Sequence, residues 1–293
     1  MPIFMVFLLG FIIGKFKALD LKTLSFLAIN VLYPLLVFYT FYQNPIGIEH
    51  ITVFIIFLTL IISMIVIISL YAMTFKISRQ KKYAMFLTGI FMNAGNFGIP
   101  LVVLVFNEDI MTYALMVMVV MSVFMNSLGL YFATSGANSS VTMKQSLLKV
   151  FKMPMLIAMV LGMLTQVLNI TLTDPILNII AMLSDSAIPL VMIILGLQLA
   201  KITFRNVDYL SVSFIVLLRL VISPLIVISL LTFINLDPTL AIVVIVLAAM
   251  PSAVNTTIFS IEYKVAPDFS SAVTFFSTVG SIITLPIWLS ILL

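Results

Sequence analysis

Asn93-Ala94-Gly95-Asn96-Phe97-Gly98-Ile99-Pro100 interrupts one long apolar stretch of this chain, and Met250-Pro251-Ser252-Ala253-Val254-Asn255-Thr256-Thr257 interrupts another. Each puts amides, glycine or proline where a membrane span is ordinarily featureless. Hydrocarbon tolerates open backbone only where it lines a cavity or is buried in protein. Interrupted segments at corresponding positions of two halves are the best sequence pointer to the substrate site of a secondary carrier.

Working outward, 63% apolar residues, 8% charged residues and a mean hydropathy of +1.32 identify an all-α integral membrane protein. Spans of roughly 20 apolar residues use nearly all of the 293 residues, which leaves no room for a soluble domain of ordinary size. There is no cysteine and one histidine, His50, read here as a solvated loop residue. That excludes disulfides, thiol chemistry and a zinc site of the usual kind. No cofactor, metal ligand or catalytic residue is expected. The spans carry no His-Glu-x-x-His, no Gly-x-Ser-x-Gly and no paired aspartates, so an intramembrane enzyme is disfavoured. A nucleotide-holding Gly-x-x-x-x-Gly-Lys-Ser/Thr loop is missing too, which argues against ATP-driven transport.

Apolar runs at about 2–14, 23–43, 51–75, 83–106, 110–134, 153–170, 175–200, 207–234, 238–261 and 269–293 predict ten transmembrane helices. The first run reaches only about 20 Å of a ~30 Å core, so either the bilayer adapts there or the true start lies upstream of Met1. The first run lacks the basic leader and cleavage site of a signal peptide and reads as a span. A pI of 9.2 does not signal nucleic acid, because the 14 basic residues form no single patch. Lys15, Lys17, Lys22, Lys76, Arg79, Lys81, Lys82, Lys144, Lys149, Lys152, Lys201, Arg205 and Lys264 all fall in alternate loops, and the remaining loops carry Glu49, Glu108, Asp109, Asp174 and Asp237. By the positive-inside rule the basic loops are cytoplasmic and both termini lie outside a multi-pass cell-membrane protein.

The halves also resemble each other. Pro2 and Gly10 match Pro154 and Gly162, Pro34 matches Pro189, and Asn96, Asp109 and Ser122 match Asn255, Asp268 and Ser281, at a slowly rising offset. The expected organisation is a five-helix repeat over 1–134, a cytoplasmic linker over 135–152, rich in Ser135, Gly136, Asn138, Ser139 and Ser140, and an inverted five-helix repeat over 153–293.

These residues resemble the auxin efflux carrier family, which includes plant PIN-formed exporters and bacterial malate or organic-anion permeases. The resemblance covers essentially the whole chain. It rests on Asn-x-Gly-Asn-x-Gly-x-Pro at Asn93 to Pro100 and Met-Pro-Ser-Ala-Val-Asn at Met250 to Asn255. Ser186-Ala187-Ile188-Pro189 with Leu195-Gly196, Arg219 with Pro224, and Ser277-Thr278 through Pro286 support it. The short first run departs from the family pattern, as does the linker, which is far shorter than the long cytosolic loop of the larger plant carriers and fits a compact, bacterial-type member. What the resemblance implies is a ten-helix fold whose helices one, two, six and seven form a scaffold. The others form a moving unit, broken helices four and nine cross at the midplane, and two chains form a homodimer through the scaffold.

The chemistry follows from residue type. Gly95 and Gly98 permit close approach and unusual backbone angles, while Pro100 and Pro251 disturb the preceding turn. Freed amides and half-helix N-termini suit a carboxylate. Asn93, Asn96 and Asn255, with Ser252 and Thr256, add neutral donors. Asn126, Ser277, Ser281 and Thr284 are candidates for the same cavity. The alternative is a proline kink with polar side chains bonding helix to helix. Two charges lie within spans, Asp185 and Arg219. Arg219 either attracts the substrate carboxylate, pairs with Asp185 or caps a helix C-terminus; Asp185 alternatively carries a coupling proton. The reading is a secondary transporter of small organic anions, malate-like or auxin-like acids, working by alternating access. A sodium- or proton-coupled carrier of another solute stays open, and an anion channel is disfavoured because no ring of charge is visible.

Overall fold

Twelve helices make up the described residues of the computed structural model, which covers 2–17, 19–44, 47–106, 110–137, 151–203, 205 and 207–293. In chain order these are α1 (Pro2–Phe16), α2 (Leu21–Gln43), α3 (Ile48–Thr74), α4 (Arg79–Ile90), α5 (Ala94–Val105) and α6 (Met111–Gly136). There follow α7 (Pro154–Val167), α8 (Asp174–Lys201), α9 (Tyr209–Leu231), α10 (Pro238–Ala248), α11 (Val254–Glu262) and α12 (Pro267–Leu292). Glu108, Asp109 and, within the linker, Asn138, Ser139, Ser140, Lys144 and Lys149 lie outside the described residues.

The expected fold, ten transmembrane helices as two inverted five-helix repeats with helices four and nine crossing at the midplane, is corrected by these lengths. Six helices, α2, α3, α6, α8, α9 and α12, are long and apolar enough to cross a membrane, three before the linker and three after it. The reason is physical. An apolar run counts residues, but proline, glycine and asparagine divide a run into separate rods. The run at 83–106 becomes α4 and α5, and the run at 238–261 becomes α10 and α11. With 12 residues, α4 reaches only about 18 Å of a ~30 Å core. The 15-residue α1 and 14-residue α7 also fall short. The five full spans per half on which the inverted repeat was reasoned are therefore not there.

Helix starts follow ordinary capping chemistry. Asp20, Asp208 and Asp237 accept backbone N–H groups of the first turns of α2, α9 and α10. Pro154, Pro238 and Pro267 occupy first helical positions, where their missing N–H has no cost. The basic loops lie against one another: Lys201 Nζ donates to the Leu19 carbonyl at 2.7 Å, and Gln80 Nε2 to the Lys264 carbonyl at 2.6 Å. Lys81 pairs with Asp208, and together with Ser211 it holds that carboxyl below the usual carboxylate range. His50 is not a solvated loop residue: it is buried in the first turn of α3, stacked 4.5 Å from the Tyr113 ring, and its Nδ1 accepts the Gly47 N–H.

Two groups of helices emerge from the packing. One comprises α1, α2, α7 and α8; α3, α4, α6 and α9 to α12 pack mainly on one another. Glycine sets the first group's geometry. A Cβ added at Gly196 of α8 would stand 2.1 Å from the Phe7 carbonyl oxygen and 2.6 Å from the Phe11 nitrogen, and one at Gly10 would stand 2.3 Å from the Ile193 oxygen. Backbone meets backbone there, as in small-residue helix contacts of membrane proteins.

Gly196→Ala therefore lowers unfolding free energy by about 1–3 kcal/mol, since the obstacle is main chain that cannot step aside. Gly280→Ala, whose Cβ would meet only the Leu220 Cδ1 tip at 2.9 Å, is the milder control. Thermal melting of both variants in detergent checks the order.

Candidate functional site

Residues 91–93 and 251–253 are short extended segments between helices, with Phe91 at φ −90°, ψ 111° and Ala253 at φ −67°, ψ 135°. They meet antiparallel in an isolated bridge, Met92 opposite Ser252. The Asn93 N–H donates to the Pro251 carbonyl at 2.8 Å, and the Ala253 N–H to the Phe91 carbonyl at 2.9 Å. Each break thus supplies partners the other has lost by leaving the helix, where an unpaired backbone group in hydrocarbon costs several kcal/mol. Gly98 lies at the contact: a Cβ there would be 2.9 Å from Leu247 Cδ2 of α10. Its φ is −65°, and no glycine among the described residues has a positive φ. Close approach, rather than unusual backbone angles, is what Gly95 and Gly98 provide.

Arg219 completes the carbonyl side. It sits in a π turn of α9, Leu218–Ile222, and is 0% exposed. Nη2 donates to the Ala248 and Met250 carbonyls, both at 3.0 Å, and Nη1 reaches the Gly89 carbonyl at 3.5 Å. Ser223 Oγ also donates to Ala248, at 2.8 Å. The C-terminal ends of α10 and α4 are therefore capped by a cation and a hydroxyl from one neighbouring helix. Of the sequence alternatives for Arg219, the helix C-terminus is the one found. Asp185 is exposed on α8 and is not its partner.

On the other side of the bridge lies a cavity of about 360 Å³, between the two helix groups. The starts of α5 and α11 face it through Asn93, Ala94, Gly95 and Asn96, and through Ala253, Val254 and Asn255. Asn30 of α2 and Asn126 of α6 join them. Three π turns contribute to the wall, Ala28–Leu32, Ala94–Gly98 and Met125–Gly129, and π turns are frequent at functional sites. Six methionines, Met92, Met118, Met121, Met125, Met153 and Met155, cover much of the rest, and among the described residues no Asp, Glu, Lys, Arg or His lines it.

Within this wall Tyr33 donates its hydroxyl to Asn96 Oδ1 at 3.3 Å, and Asn126 Nδ2 donates to the Ser122 carbonyl at 2.9 Å. Asn255 is exposed. Asn93 differs from all of these. It is 5% exposed, and its side-chain Nδ2 has no hydrogen-bond partner among the described residues. A buried amide donor left unpaired is costly and marks the place for an acceptor.

Of the sequence candidates, Asn93, Gly95, Asn96, Asn126 and Asn255 come together at the cavity. Ser252, Thr256, Gly98, Pro100, Pro251, Arg219, Ser277, Ser281 and Thr284 do not line it. Ser252 and Thr256 turn into a buried hydroxyl seam between α11 and α12, where the Ser252 N–H donates to Ser277 Oγ and Thr257 bonds Thr274 at 2.9 Å. Asn30, Tyr33 and Ser122 line the cavity without having been candidates for it. A lone amide inside the second apolar run was the available signal for Asn30.

A protein-family model described as "Membrane transport protein" matches residues 1–289 of the chain. The chain is also similar to an "Uncharacterized transporter" of Methanothermobacter thermautotrophicus, at 29% identity over 302 residues, covering 98% of this chain and 95% of that one.

Because the two breaks pair through main chain, the Asn93 and Ala253 amides exchange hydrogen as slowly as helix-interior amides. Hydrogen–deuterium exchange on the protein in lipid nanodiscs reads this directly; rapid exchange of both would mean that the bridge does not persist.

Proposed function

The chain belongs to the membrane transport protein family, and we propose that it is a secondary carrier moving small organic anions, carboxylates, by alternating access at the meeting of its two interrupted stretches. The observation that carries this reading is the unpartnered Asn93 Nδ2, buried in the wall of a cavity onto which two helix N-termini open. A carboxylate oxygen satisfies that donor. It also meets the positive ends of α5 and α11, which favour an anion by up to roughly 2 kcal/mol each in partly buried geometry.

The wall argues further about the substrate. With no charged side chain in it among the described residues, the wall meets an anion with helix ends and neutral donors. Methionine and aromatic side chains suit an apolar body of variable shape. The resemblance to auxin efflux carriers supports the same class of cargo. The cavity's position between two helix groups suits alternating access, since relative movement of the groups opens it to either side in turn. The basic loops are assigned to the cytoplasmic face of the cell membrane. A homodimer is part of this reading: Asp185, about 17 Å along α8, is exposed among apolar residues, and a second copy relieves its contact with lipid. Sodium or proton coupling is the remaining variable, and reconstituted flux of radiolabelled carboxylates under imposed sodium, proton and voltage gradients decides it.

Asn93→Ala weakens carboxylate affinity about tenfold, the loss of one hydrogen bond to a charged acceptor. Asn93→Asp, which places like charge at the site, abolishes proteoliposome uptake, and Asn255→Ala reduces it. Thermal midpoints of all three stay near wild type. Undiminished uptake in the Asn93 variants would remove the site from this cavity.

A further inference from the structure

We propose that Arg219, without touching the cavity, gives the site a net charge of about +1 and thereby makes it selective for monoanions over dianions; this rests on the carrier reading above. Four helix ends converge on the bridge. The C-terminal ends of α4 and α10 each carry about −0.5 charge, and the N-terminal ends of α5 and α11 about +0.5 each. Left to themselves the four cancel, and the cavity faces a dipole pattern with no net charge.

Arg219 changes this balance. Its guanidinium is fully buried and bound to the Gly89, Ala248 and Met250 carbonyls, which are the negative ends. Among the described residues no carboxylate faces it, and the one ion pair is Lys81 with Asp208. A buried cation without a counterion is strongly unfavourable. Here two helix ends, together about −1, offset its +1. The positive ends of α5 and α11 are then left uncompensated on the cavity side, with about one unit of positive charge between them.

One carboxylate matches that charge. A second finds no cation, because among the described residues no Lys, Arg or His lines the wall and six methionines do. Arginine suits the task because it stays charged when buried and its fork holds two carbonyl oxygens at once. Ser223 adds a neutral donor to Ala248 but no charge. Arg219 is thus a positioning residue, acting through helix ends rather than on the substrate.

The test uses the full chain in nanodiscs and two probes of similar apolar body, phenylacetate with one carboxylate and phenylmalonate with two. Wild type binds phenylacetate at least about tenfold more tightly. Arg219→Gln, which keeps donors and loses the charge, loses about tenfold for phenylacetate and most of the preference, while Arg219→Lys stays within about threefold. If the Gln variant does not fold, Arg219→His carries the test: relative to wild type its phenylacetate affinity falls as pH rises from about 5.5 to about 8, as the imidazole loses its proton. A role confined to stability moves the melting temperature and leaves the preference between the two acids unchanged. Equal wild-type affinity for both acids, or Gln or His variants that track wild type, overturns the inference and leaves the carrier reading standing. Wild type that binds no monocarboxylate overturns both.

Discussion

The constraint on which the rest depends is that backbone N–H and C=O groups freed at a helix break have no water to turn to in hydrocarbon. This chain meets it by breaking two helical segments and letting each satisfy the other. Met92 and Ser252 face each other, flanked by hydrogen bonds of 2.8 and 2.9 Å. Each break pairs backbone groups of the other, so the two are a single structural unit despite lying far apart in sequence. Side-chain chemistry then arranges itself around the pair. Ser277 takes the Ser252 amide, Arg219 and Ser223 take the carbonyls, and glycine at 98 lets the segments approach.

That arrangement separates the helix ends by sign. Carbonyl ends turn toward α9 and its cation; amide ends turn toward the cavity. The separation needs no acidic or basic group in the wall, and the wall has none among the described residues. It also places the cavity where the α1, α2, α7 and α8 group meets the rest of the bundle. The first of these groups is fixed internally by glycine contacts at 10 and 196, where main chain lies against main chain. A π turn in α9 presents Arg219, and Trp288 Nε1 takes the Leu220 carbonyl of that turn at 2.9 Å, tying α12 to the same point.

Much of this was legible in the sequence for a simple reason: asparagine, glycine and proline in an apolar run have few uses. They marked both breaks, and Asn93, Asn96, Asn126 and Asn255 do line one cavity. What was not legible depended on direction and on partners without a sequence signature. Ser252 and Thr256 sit on the same break as Asn255 yet face a hydroxyl seam, and only the helix start sets which way each turns. Arg219 was left open between the substrate, Asp185 and a helix C-terminus, because its actual acceptors are carbonyls that every residue possesses and that carry no sequence signature. Ten apolar runs suggested ten spans, but run length does not show where one rod ends and the next begins. His50 looked like a loop residue and is packed against Tyr113.

The most direct measurement is the position of a bound acid. Cryo-electron microscopy of the protein with 4-bromophenylacetate, the bromine marking ligand orientation, locates the carboxylate relative to the breaks. The account predicts it against Asn93 Nδ2 and the first amides of α5 and α11, with the ring among the methionines. A carboxylate bound elsewhere, or breaks found as continuous rods that do not meet, would contradict it.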